Sequence, residues 1–149
     1  MKTLIAAALL TAMPQVAFAQ ARCELREVEG TRAPGAIGAG LEDVRAMLSQ
    51  PPFSEYKTFR LVGTHPLALR KGQPEKVVFS HKHRYEVTFM DRLAVHEGRA
   101  RLRLKFEIFK PDGKSELSSI VVVDENGAPV TRVEQNADHI IVALLSCKS

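Results

Sequence analysis

The chain has 149 residues, with 21 Lys and Arg against 17 Asp and Glu for a formal net charge of +4; 45% of residues are hydrophobic and 26% charged. This composition excludes a disordered, collagen-like or coiled-coil chain, and the length is that of one domain. Two cysteines, Cys23 and Cys147, are too few for a disulfide-dense scaffold or a four-thiolate zinc centre, but they suffice for one disulfide.

Residues 1–19 read as a secretory signal peptide. Lys2 supplies the positive start, and residues 4–13 form an apolar run broken only by Thr11. Pro14 ends the run, and Ala17-Phe18-Ala19 has the small-residue form of a cleavage site. The run is shorter than the roughly 20 apolar residues a bilayer crossing needs. Cleavage is expected between Ala19 and Gln20, giving a periplasmic or secreted protein with no transmembrane segment in its mature form. Arg22, directly before Cys23, does not suit a lipid-modification signal. Cys23 is then left to pair with Cys147 in an oxidising compartment.

Residues 30–40 contain Gly30, Pro34, Gly35, Gly38 and Gly40, a loop composition. The expected organisation is therefore a flexible N-terminal segment over 20–40 and a single β domain over 41–149. A short helix is predicted over 41–50. Leu41, Val44, Met47 and Leu48 share one face, Glu42 and Asp43 occupy the first turn, and Pro51-Pro52 stops it.

Beyond the helix the period changes to two. Strands are predicted at 59–69 (interrupted at Pro66), 76–80, 84–90, 99–109, 117–123, 130–133 and 140–145. Turns fall at 70–74, 96–98, 111–114, 124–127 and 135–138. Seven to eight short strands at this spacing predict a mainly β protein: an antiparallel β-sandwich with one short N-terminal helix. The continuous apolar runs 120–123 and 140–145 read as central strands covered on both faces. A hairpin pairing Val87 with Ile108, Phe89 with Phe106, Leu93 with Leu102 and Val95 with Ala100 matches apolar residues on one face. It requires a bulge near Asp91 and Arg92.

Pro51-Pro-Phe-Ser-Glu-Tyr-Lys-Thr-Phe59, the Leu67-Ala-Leu-Arg-Lys-Gly72 step, the 101–104 strand and the 140–145 strand follow one another in an order that resembles a family of small exported bacterial β-sandwich-like proteins. The resemblance spans residues 41–146. It implies an exported β domain and no reaction. The chain departs from the pattern at Ser80-His81-Lys82-His83, where a Pro-Asn-Gly hairpin tip is expected.

Two constellations carry possible chemistry. His81 and His83 are two apart, so in a strand both point to one side, and two imidazoles so placed bind zinc or copper if further ligands converge. His96, His139, Glu75 and Asp91 are candidates for those ligands. The structural alternative is a pair of exposed residues at a hairpin tip, where Lys82 and Arg84 would repel a cation. The second constellation is Arg99, Arg101, Arg103 and Lys105 on one side of the long strand. Either Glu86, Asp91 or Glu134 compensates this stripe, or it meets an anionic partner. Removal of the signal peptide leaves a net charge of +3, and no aromatic residues interleave with the basic ones, so a nucleic-acid partner is not expected.

Catalytic motifs are lacking. Ser54 and Lys57 match Ser-x-x-Lys without its partner motifs, no cofactor-binding motif is present, and Phe53, Tyr56 and Phe59 have the spacing of residues that pack a helix on a sheet. The expected function is an exported, non-enzymatic binding or assembly module of the cell envelope. It would act through a sheet edge or the basic strand face on an envelope protein or anionic polymer. The alternatives are a zinc- or copper-binding protein or enzyme using His81 and His83, and an inhibitor of an envelope enzyme.

Overall fold

The computed structural model describes residues 20–149; the predicted signal peptide and its cleavage motif lie outside them. Eight strands follow in chain order: β1 (Gln20–Thr31), β2 (Thr58–Arg70), β3 (Pro74–Val78), β4 (Arg84–His96), β5 (Arg99–Phe109), β6 (Ser115–Asp124), β7 (Val130–Gln135) and β8 (His139–Lys148). They form two antiparallel four-stranded sheets, ordered β2-β1-β8-β7 and β3-β4-β5-β6, as a β-sandwich.

The 20–40 segment is the main correction to the sequence reading. Its first twelve residues are β1, which lies between β2 and β8 at the centre of its sheet. Only the glycine-rich part after Thr31 is a loop. The many charges of β1 hid its alternation: Ala21, Cys23 and Leu25 face the other sheet, and Arg26 and Val28 face the opposite side. Gly30 lets β1 pass the second core tightly, because a Cβ there would lie 2.7 Å from Phe59 Cε1 and 2.9 Å from Ile140 Cγ1.

Two cores follow from this arrangement. One fills the space between the sheets, with Leu25, Leu69, Tyr85, Val87, Phe89, Leu102, Leu104 and Phe106 among its members. The other lies on the outer face of the first sheet. There a 3-10 turn (Glu42–Val44) runs into helix α1 (Arg45–Leu48) and presents Leu41, Val44 and Leu48 to Val28, Val142 and Leu144. The predicted helix is thus present but shorter than 41–50. Phe53, Tyr56 and Phe59 are buried in this second core, as their spacing implied. Arg26 ties the helical segment to the sheet through two hydrogen bonds to Asp43, of 2.9 and 2.8 Å.

β8 is buried on both faces because it serves both cores, which is why it reads as an unbroken apolar run. The 120–123 run has a different cause. β6 is an edge strand: Val121 and Val123 point inward, while Ile120 and Val122 are 53% and 45% exposed. Pro66 does not interrupt β2, because an edge strand tolerates a residue without an N–H. The β4–β5 pairing is displaced from the expected one. Tyr85 faces Ile108, Val87 faces Phe106 and Phe89 faces Leu104, with irregularities between Phe89 and Asp91 and between Leu93 and His96. The first lies where a bulge was required; the second moves the register once more.

Cys23 and Cys147 are direct partners in the β1–β8 ladder and form a disulfide. Among the described residues, no helix is long and apolar enough to cross a membrane.

Candidate functional site

His81 and His83 do not lie in a strand. They belong to the turn between β3 and β4, closed by Phe79 N–H to His83 O (2.9 Å) and Lys82 N–H to Phe79 O (2.9 Å). Lys82 has a positive φ of 71°, and this left-handed residue, rather than the strand period, brings both imidazoles to one side. Their rings stack with centroids 4.5 Å apart. They are not exposed tip residues either: the side chains are only 17% and 21% accessible. Lys82 is exposed, and Arg84 donates from Nε to Glu86 Oε1 (3.0 Å) while its guanidinium covers the Phe109 ring.

The third member is Glu134 of β7, from the other sheet. His81 Nε2 makes a short contact with Glu134 Oε2, and His83 Nε2 lies 3.6 Å from Oε1. Tyr85 donates its hydroxyl to Glu134 Oε2 (2.7 Å). One ligand atom from each of His81, His83 and Glu134 lies within 4.8 Å of the others. Glu116 of β6 stands at the rim, with Oε2 3.3 Å from His83 Nε2. None of the ligands expected from sequence joins this group. His96 sits beside Glu97 at the β4–β5 turn, His139 contacts Asn136, Glu75 is exposed, and Asp91 binds Arg103.

Glu27 of β1 stands behind His81. It continues the inward series of Ala21, Cys23 and Leu25, yet it is a carboxylate only 2% exposed. It accepts hydrogen bonds from Ser80 N–H (3.1 Å to Oε1, 3.2 Å to Oε2) and from the Ser80 hydroxyl. Its Oε1 lies 3.7 Å from His81 Nδ1. His81 is therefore held between two carboxylates, one toward each ring nitrogen. Sequence reasoning missed Glu27 because β1 was read as a flexible segment; a glutamate in phase with three core residues was the available signal.

Burial opposes charging of His81, but the hydrogen bond to Glu134 and the charges of Glu134 and Glu27 outweigh it and raise its pKa. Burial likewise opposes ionisation of Glu134, and the hydrogen bonds from His81 and Tyr85 reverse this and hold its carboxyl below the ordinary range. Burial and the neighbouring carboxylates push the Tyr85 phenol well above its usual value, so it remains a donor. Several polar atoms of the cluster are buried without a hydrogen-bond partner: His81 Nδ1, His83 Nδ1 and Glu134 Oε1. Among the described residues, no Lys or Arg forms an ion pair with Glu27, Glu116 or Glu134.

The basic stripe is partly compensated. Arg103 makes a two-bond pair with Asp91 (3.0 and 2.5 Å), and Lys105 Nζ lies 2.9 Å from Glu107. Arg101 donates to Ala94 O (3.2 Å), and Arg99 is exposed. Of the anticipated partners, only Asp91 serves the stripe. Glu86 pairs with Lys76 and Arg84, and Glu134 points into the sandwich. Lys57 Nζ donates to the Ser54 carbonyl (3.1 Å), which gives the Ser-x-x-Lys pair a local structural use.

The chain matches no family model, no curated protein and no solved structure.

Proposed function

We propose that this chain is an exported metal-binding protein that holds a divalent zinc or copper ion through His81 Nε2, His83 Nε2 and Glu134, with Glu116 able to close the site from its rim. The observation that carries this reading is the convergence of two imidazoles and a carboxylate from opposite sheets, with Glu134 Oε1 buried and unpartnered. Glu134 Oε2 is already satisfied by His81 and Tyr85, and a cation placed among these groups would give the buried Oε1 a partner as well.

The donor set suits the ion. Zinc takes imidazole and carboxylate ligands at about 2.0–2.2 Å, so neighbouring donors about 3.3 Å apart are required. The separations of 3.6 Å between His83 and Glu134 and 3.3 Å between His83 and Glu116 are close to that spacing, and the shorter His81–Glu134 contact would open to admit the ion. Glu27 sits where a carboxylate commonly orients a metal-bound histidine through its second nitrogen. Nitrogen and oxygen donors favour Cu(II) over Zn(II) in intrinsic affinity. Both cysteines are in the disulfide, so no thiolate is available to draw Cu(I). Export is supported by the N-terminal sequence and by the disulfide.

The test is titration of the mature chain with Zn(II) and Cu(II) against a chromophoric chelator. One ion per chain is expected, released as Glu134→Gln or His83→Asn lowers the affinity by about 100-fold with the far-UV spectrum unchanged. Substoichiometric binding by the wild type, or equal binding by both variants, would refute the proposal.

A further inference from the structure

The metal ligands line one side of a pocket of about 350 Å³ between β6, β7 and the β3–β4 turn. That is several times the roughly 30 Å³ share of one water, so the ion alone does not fill it. Arg132 also lines the pocket. It is two residues from Glu134 on β7, so the two side chains share a face with Cα atoms about 6.5–7 Å apart.

The Arg132 guanidinium reaches toward the opposite sheet. It donates to the Thr131 carbonyl (2.8 Å) and to Ser119 Oγ (3.2 Å) and lies 6.0 Å over the Phe106 ring. Among the described residues, no carboxylate pairs with it, although Glu134 is so near in the chain. Half-buried and with further N–H donors, it is a cation without a counter-ion. The pocket wall also includes Ile108 and Leu117, which are apolar. A metal held by His81, His83 and Glu134, with Glu116 left at the rim, keeps a coordination position for an outside ligand.

On this basis we propose that the pocket binds a small aliphatic monocarboxylate. Its carboxylate would take the open metal position and pair with Arg132, and its hydrocarbon body would lie on the apolar wall. This inference rests on the metal reading above. A guanidinium pairs with a carboxylate through charge-assisted, directional hydrogen bonds, which an uncharged analogue of the same shape cannot reproduce.

Calorimetric titration of the Zn(II)-loaded mature chain with butyrate, and separately with butyramide, tests the proposal. Butyrate is expected to bind, butyramide at least about tenfold more weakly, and Arg132→Gln to weaken butyrate by about tenfold or more while zinc stoichiometry and the far-UV spectrum stay unchanged. Equal binding of butyrate and butyramide, no butyrate binding, or an Arg132→Gln variant that binds butyrate like the wild type would overturn it. If zinc does not bind, the metal reading fails by itself. The metal-free chain is then titrated: butyrate binding that still depends on Arg132 retains the anion pocket, and its absence overturns that as well.

Discussion

Opening the Cys23–Cys147 bond is expected to destabilise the protein by an amount that can be worked out in advance. The bond joins positions 124 apart. In the chain-entropy description, a crosslink closing a loop of that length removes about 16 cal/mol/K from the unfolded ensemble, or about 5 kcal/mol at 25 °C. The native state should change little, because Cys23 and Cys147 are already held opposite each other by a β1–β8 ladder running from Arg22–Lys148 to Thr31–His139. The loss therefore falls on the unfolded state. With a melting entropy of about 2.1 cal/mol/K per residue over residues 20–149, 5 kcal/mol corresponds to a drop in Tm of about 18 °C. Thermal melts of the Cys23→Ala/Cys147→Ala variant, compared with reduced wild-type protein, separate the crosslink from the packing of the lost sulfurs. A larger urea m-value is also expected, since the uncrosslinked chain exposes more surface on unfolding. A Tm drop below about 5 °C in the reduced protein, or free thiols in the native protein, would refute the reasoning.

Asp43→Asn is expected to cost about 1–2 kcal/mol in urea unfolding at neutral pH. The variant leaves the Arg26 guanidinium, 9% exposed, with Glu24 at 3.6 Å as its remaining carboxylate, and the 59% exposure of Asp43 keeps the loss below that of a fully buried pair. The hydrogen bond from Arg26 holds the Asp43 carboxyl below its ordinary range. Its contribution is thus complete above the unfolded carboxyl pKa near 4 and is lost as pH falls through the lower folded value. The variant should lack that part of the acid dependence, and an unchanged acid limb would count against the pair. Glu27→Gln still accepts from Ser80 but removes the charge beside His81 Nδ1. Zinc affinity should fall by about 10–100-fold in the chelator competition, and an unaltered affinity would show that Glu27 does not orient the ligand.

Much of the fold was legible because a strand writes its two faces into alternate residues. β4 and β5 show this plainly, with Tyr85, Val87 and Phe89 against Leu102, Leu104 and Phe106. β8 was legible for a related reason, since a strand between two cores must be apolar throughout. The same logic misread β6, because an apolar outward face is also compatible with an exposed edge. It passed over β1 because the charges there have partners far along the chain: Arg26 is matched by Asp43 and Glu27 by Ser80. A segment whose polar groups are satisfied elsewhere looks like a loop when read alone.

By itself the sequence determined the β-sandwich class, the helix on one side, the cysteine pair and the oddity of His81 and His83. Each is carried by local period, composition or count. Only the tertiary structure decided which carboxylates meet those histidines. Glu27 and Glu134 each lie 53 positions from the residue they bind, Ser80 and His81 respectively, and they arrive from the other sheet. No local pattern encodes such a meeting. It depends on how the strands are ordered and how the two sheets are laid together, and that order is set by the burial of both cores at once.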